Sequence, residues 1–174
     1  MKIKLVYLLI AGLAVCGGIS VQRMFSAPQS ANTAATNLDF AFPDINGQMQ
    51  NIQQWQGKIL LINFWATWCG PCLTEIPEFV AWQREYQDKN VQFIGIAIDD
   101  KQPVAEYARR TGINYPLLIA GDAGSELAYQ FGNVIGAVPF TVIINPQGLI
   151  IHRQPGALDK TQFLQFVQPL LEQK

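Results

Sequence analysis

Two cysteines three residues apart, Cys69 and Cys72, are the side chains of this sequence best placed to do chemistry. They stand in Trp68-Cys69-Gly70-Pro71-Cys72, after an apolar run and ahead of a segment with helical spacing, a strong context for redox chemistry. The thiolate is the nucleophile of thiol–disulfide exchange. At a helix N-terminus it meets unpaired N–H groups and the positive end of the helix dipole. In a partly buried geometry that setting is worth up to about 2 kcal/mol, enough to bring a thiol from about 8.5 to about 7. Cys69, the first of the pair, reads as the nucleophile. Cys72, one turn further in, reads as the thiol that resolves a mixed disulfide. Pro71 suits an early helical position, where the N–H it lacks would go unpaired anyway. A zinc site would need about four ligands, and the only other soft ligand after the N-terminal segment is His152. A disulfide kept for stability would close too short a loop to restrict the unfolded chain much.

The elements around the pair follow from pattern. Ile59–Trp65 is an apolar run of strand length, as in a strand buried on both faces. From Leu73 to about Asp88, Cys72, Ile76, Phe79, Val80 and Gln83 form one helical stripe, and Pro77 inside it predicts a kink. Val91–Ile98 reads as a second buried strand, and Pro103–Thr111 as a helix closed by Gly112. A short strand over Pro116–Ala120 and a helix over Ser125–Phe131 follow. Phe140–Asn145 and Leu149–Arg153 form an antiparallel pair about a turn at Asn145–Gly148. Asp159 caps a last helix running to about Glu172. Ahead of all this, Leu38–Phe42 and Met49–Ile52 flank Asn46-Gly47, a hairpin signal. The whole predicts an α/β fold with a mixed central sheet flanked by helices.

The N-terminus has a different character. Lys2 and Lys4 precede Leu5–Val21, which holds no charge and is near the minimum length for a membrane span. An uncleaved anchor over residues 1–24 fits best, ahead of a cleaved signal or lipidation at Cys16. Each would carry the remainder to the extracytoplasmic (periplasmic) side, and the two lysines agree with the positive-inside bias. Residues 25–37 are small, polar and uncharged, a flexible linker, so the folded domain spans 38–174. The first 37 residues hold Lys2, Lys4 and Arg23 and no acid; of the chain's 12 basic and 13 acidic residues, nine and thirteen remain, formally about −4. That balance, with no long basic run, argues against nucleic acid as a partner.

Leu61-Ile62-Asn63-Phe64-Trp65-Ala66-Thr67-Trp68-Cys69-Gly70-Pro71-Cys72 resembles the active-site strand and helix start of thioredoxins. More narrowly, the chain from Leu38 on resembles the membrane-anchored TlpA/ResA-like disulfide reductases. The resemblance implies a thioredoxin-like fold with an N-terminal hairpin and an inserted strand-helix element, here Asn114–Gly132. It implies a cis-proline facing the site, matched by Val138-Pro139, whose backbone would pair with an incoming substrate strand. Asn63 stands where cytoplasmic thioredoxins carry a buried Asp, so that proton-transfer role is missing. Glu75 matches an acidic residue that the ResA-like group places near the cysteines. Poorly solvated there, it would have a raised pKa and could shuttle the proton of Cys72. Glu78 reads as solvated surface, as do Tyr115, Arg109 and Arg110; Phe93, Ile96 and Phe131 read as core. Trp65 and Trp68 flank the site, one as core and one as rim.

The implied activity is reduction of oxidised protein dithiols outside the cytoplasm, with no cofactor beyond the Cys69–Cys72 pair and no metal. Electrons would come through a membrane thiol conduit of the DsbD/CcdA kind; apocytochrome c before haem attachment is one client in the family. The Gly-Pro dipeptide is like that of reducing thioredoxins, near about −270 mV, not of oxidants near about −120 mV. The alternatives are a disulfide oxidase or isomerase, and a copper-handling protein, for which Met49 is the only methionine after the N-terminal segment.

Overall fold

The computed structural model describes residues 38–172. The anchor read over residues 1–24, the linker over 25–37 and Cys16 lie outside the described residues. Among those described, no helix is long and apolar enough to cross a membrane.

Among the described residues, seven strands and four α-helices follow in the order β1 (Ala41–Pro43), β2 (Met49–Asn51), β3 (Ile59–Trp65), α1 (Gly70–Tyr86), β4 (Val91–Ala97), α2 (Lys101–Thr111), β5 (Leu117–Ile119), α3 (Gly121–Gln130), β6 (Phe140–Ile144), β7 (Ile150–Pro155) and α4 (Lys160–Leu171). β1 and β2 form the expected hairpin. Its turn is set by Asp44, whose carboxylate accepts from the Asn46 and Gln48 N–H groups, with Gly47 at φ +87°. The main sheet has the order β5-β4-β3-β6-β7. β3 runs parallel to β4 and antiparallel to β6, so the sheet is mixed.

β3 is buried along its whole length, and its side chains alternate between two cores. Ile59, Leu61 and Trp65 pack with α1, α2 and α4; Leu60, Ile62 and Phe64 pack with α3 and Ile52. The first core is strongly aromatic: the Trp82 and Phe163 rings stack at 4.9 Å, and Phe79 and Phe93 lie at 5.4 Å. Asn63 shares the parity of Leu61 and Trp65, which directs it to the α1 face. α4 starts with a capping box, in which Asp159 Oδ1 accepts from Gln162 N and Gln162 Oε1 accepts from Asp159 N.

Three expectations need correction. α1 begins at Gly70, not Leu73, because Cys69 itself supplies the N-cap. α3 begins at Gly121, not Ser125, despite two glycines in its first turn. A Cβ on Gly124 would stand 2.9 Å from that of Ala120 and 3.3 Å from Ile98, so glycine there permits close helix–sheet packing. Tyr115 is buried, not on the surface. Gly95 leaves a gap in the α1 face of β4, filled most closely by Leu117 and then Trp65, with the Tyr115 ring packed beside them. Arg109 and Arg110 are exposed, and α1 continues as helix through Pro77.

Candidate active site

The C-terminal end of β3 and the start of β6 lie side by side, since Phe64 pairs with Phe140. One step further along each strand come Trp65 and Pro139, so the turn carrying the cysteines and the loop ending at Pro139 emerge from the same end of the sheet. The Val138–Pro139 peptide is cis, and Pro139 O accepts from Gly156 N at 2.8 Å.

Cys69 and Cys72 are joined by a disulfide. Cys69 is the N-cap of α1: its backbone is extended, and its Sγ accepts from Cys72 N at 3.2 Å. One of the unpaired N–H groups of the helix start therefore points at the Cys69 sulfur. Cys69 is 5% exposed and Cys72 fully buried, so an approaching group meets Cys69 first. Gly70 and Pro71 are exposed, and Trp68, at 68%, stands out from the turn, while Trp65 is wholly buried against Tyr107. The two tryptophans thus divide into core and rim.

A residue that sequence reasoning missed fixes this turn from the end of the neighbouring strand. Asp99, just past β4, accepts from Thr67 N at 2.8 Å and from the Thr67 hydroxyl through the same Oδ2. Its other oxygen accepts from Asp100 N at 2.7 Å. Asp99 was legible only as the end of a strand; nothing in the local sequence ties it to a residue 32 positions earlier. Tyr107 adds a second tie, its hydroxyl donating to Leu73 O at 3.3 Å.

Glu75 lies one turn beyond Cys72 on the same helix and is 5% exposed. Its Oε1 accepts from Asn63 Nδ2 at 2.9 Å, and its Oε2 from Leu158 N at 3.0 Å. Burial pushes its pKa up to about 7 from the ordinary 4.5, against the lowering effect of those two hydrogen bonds. A carboxyl at that value exchanges protons near neutrality. Asn63, read as an empty replacement for a buried acid, is therefore a direct partner of one. Glu78 is exposed.

Among the described residues, no three His, Cys, Asp or Glu side chains come together as a metal site. The His152 ring stacks on Phe166 at 3.8 Å. Two concavities in the described surface lie elsewhere, one lined by Ile52, Leu60, Asn145 and Pro146, the other by Asp44, Trp55, Tyr115 and Leu117; neither includes the disulfide.

The sequence model of the AhpC/TSA family matches residues 33–153. The chain belongs to the AhpC/TSA family. Among curated relatives, it is similar to the thiol-disulfide oxidoreductase ResA of Halalkalibacterium halodurans, 26% identical over 92% of each chain. It is also similar to the ResA of Bacillus subtilis, 22% identical over 93% of this chain and 90% of that one. A solved thiol:disulfide interchange protein of the thioredoxin family from Chlorobium tepidum TLS superposes with a TM-score of 0.67 at 29% identity, covering 76% of this chain and 93% of that one. The resemblance to ResA-like proteins and the thioredoxin-like fold are both borne out by these relatives. So is the architecture, a five-stranded mixed sheet between helices with a separate hairpin.

Proposed function

We propose that this protein is a thiol–disulfide oxidoreductase that reduces disulfides in extracytoplasmic client proteins. The observation that carries the reading is the Cys69–Cys72 disulfide at the N-terminus of α1, with a buried carboxyl one turn behind it. In the reduced protein the Cys69 thiolate attacks a client disulfide, forming a mixed disulfide and releasing one client thiolate. Glu75 then takes the proton of the Cys72 thiol. The Cys72 thiolate attacks Cys69 Sγ, which closes the intramolecular disulfide and releases the second client thiolate. Two electrons pass to the client, and each of its released sulfurs takes up a proton.

Val138 and Pro139, which share the sheet end with the cysteines, present backbone to the client segment; Trp68, Gly70 and Pro71 form the exposed rim it meets. A disulfide beneath an exposed turn, outside both concavities, suits a protein substrate. Residues 1–24 anchor the domain of residues 38–174 to the membrane through the linker of residues 25–37. A membrane thiol conduit of the DsbD/CcdA kind returns electrons to the pair, as a reductant in an oxidising compartment requires.

Two measurements test this. Equilibration of the Cys69–Cys72 couple against a thiol buffer should give a potential near that of thioredoxin, about −270 mV. A value near about −120 mV would reverse the direction. Cys72→Ser should accumulate clients as mixed disulfides, and Cys69→Ser should neither trap nor turn over. Full turnover by Cys69→Ser would overturn the mechanism.

A further inference from the structure

Asn63 sits mid-strand in β3 and is 2% exposed. Its Nδ2 donates to Glu75 Oε1 at 2.9 Å and to Thr141 Oγ1 at 3.0 Å, using both of its hydrogens. Thr141 is opposite it in the β3–β6 register and fully buried. The Asn63 Oδ1 is also buried, with no partner among the described residues. Leaving a buried carbonyl unpaired is costly, so an amide here needs a reason that a purely structural role does not provide.

The chemistry of Glu75 provides one. An ionised carboxylate only accepts hydrogen bonds, whereas a protonated carboxyl also donates. An amide carries a donor on one side and an acceptor on the other. As it stands, Asn63 presents its donor to the carboxylate. Turned over, it would present Oδ1 to the carboxyl, and the Thr141 hydroxyl, which donates as readily as it accepts, would follow. An aspartate at this position would match only the protonated form of its neighbour, and an apolar residue neither form.

We propose that Asn63, supported by Thr141, is a positioning residue for Glu75, reversing its amide so that the carboxyl stays hydrogen-bonded before and after it takes the Cys72 proton. This rests on the relay described under the proposed function. In that step the Cys72 S–H bond breaks, an O–H bond forms on Glu75, and the proton later leaves with the client thiolates. Among the described residues, Cys72 stands one turn before Glu75 on the same helix, and Tyr115, from the loop before β5, is near enough to feel its charge. Burial, with the charge on Glu75 adding, pushes the Tyr115 phenol well up, so it stays protonated throughout.

The test follows the Glu75 side-chain carboxyl carbon by NMR against pH in the full-length, disulfide-form protein, with the Asn63 side-chain amide recorded alongside. In the unaltered protein the Asn63 amide signals should move with the Glu75 midpoint. Asn63→Leu removes a charge-assisted bond and should raise that midpoint by about one pH unit, a tenfold gain in proton affinity. Asn63→Asp should give two coupled steps, because two adjacent carboxyls hold one proton between them. Thr141→Val, which leaves Asn63 in place, should shift the midpoint upward by less and covers the case in which β3 does not accept leucine. An unmoved midpoint in these variants, or flat Asn63 signals through the Glu75 transition, would overturn the proposal. The relay has its own readout. If Glu75→Gln leaves the thiol pH profile of the reduced protein unchanged while Asn63→Leu still moves the carboxyl midpoint, the relay falls and the hold of Asn63 on Glu75 stands.

Discussion

Replacing Glu75 by Gln should change how stability depends on pH, and the size of the change follows from the burial of that one carboxyl. In the unfolded chain Glu75 ionises at its ordinary 4.5; in the folded protein burial holds it at about 7. Between those values the folded state keeps a proton that the unfolded state has lost, so stability falls as pH rises. The contribution is fully present below 4.5 and is gone once pH passes the folded value. A gap of roughly 2.5 pH units corresponds to about 3 kcal/mol. Gln cannot ionise, so the variant should lack this slope. Its amide can still pair, with its oxygen taking the Leu158 N–H and its nitrogen meeting a reversed Asn63. Urea unfolding of the disulfide form at pH 4 to 8 would measure it. The difference in unfolding free energy between the two proteins should shift by about 3 kcal/mol in favour of the variant across that range. Parallel pH dependences would show that Glu75 ionises like a surface carboxylate, and the relay would lose its basis.

Other outcomes follow from neighbouring contacts. Asp99→Ala removes both bonds to Thr67 and should cost about 2 kcal/mol in urea unfolding, with faster alkylation of reduced Cys69 as the turn loosens; unchanged alkylation would mean the clasp does not hold the turn. Gly95→Ala would set a methyl 2.6 Å from Leu117 Cδ2 and 3.1 Å from Trp65 Nε1. Such overpacking should cost about 1–3 kcal/mol, read as a lower urea midpoint. Trp68→Ala, at an exposed position, should leave stability within about 0.5 kcal/mol while raising KM for a protein disulfide; an unchanged KM would remove Trp68 from the client-facing rim.

Most of the fold was legible because its signals are local. Ile59–Trp65, apolar but for Asn63 and of strand length, reads as a strand covered on both faces, and β3 has those limits. Gly112 closes α2 at φ +66°, and Asp159 caps α4 through a capping box. The failures are places where tertiary packing outweighs local preference. Glycines at 121 and 124 read as loop, yet the close approach of α3 to Ile98 needs the second of them. Tyr115 read as a surface residue; it is buried against Phe93 and beside Gly95 on another strand, to which no local pattern connects it.

The site divides along the same line. The cysteine pair and its place at a helix N-terminus were readable from adjacent residues, whereas the cis-proline and the interest of Glu75 came from the family resemblance, which left the burial of Glu75 open. Neither source supplied the partner. Asn63 and Glu75 are twelve residues apart and meet only because β3 and α1 pack face to face, with Thr141 brought in from a strand much later in the chain. Read alone, an asparagine at 63 signals the loss of a titrating group. Read with its hydrogen bonds, it signals that the titrating group has moved from the strand to the helix, one turn behind Cys72. That placement has a consequence for the chemistry. A carboxyl held from the strand by Asn63 and from the loop before α4 by Leu158 N is fixed at both oxygens, so its proton affinity depends on three separate elements of the fold. The Leu158 loop also meets the cis-proline segment, through Gly156 N to Pro139 O. Two residues separate the N–H that Pro139 O accepts, on Gly156, from the N–H that Glu75 Oε2 accepts, on Leu158, so one short loop is bonded to both the cis-proline segment and the buried carboxyl.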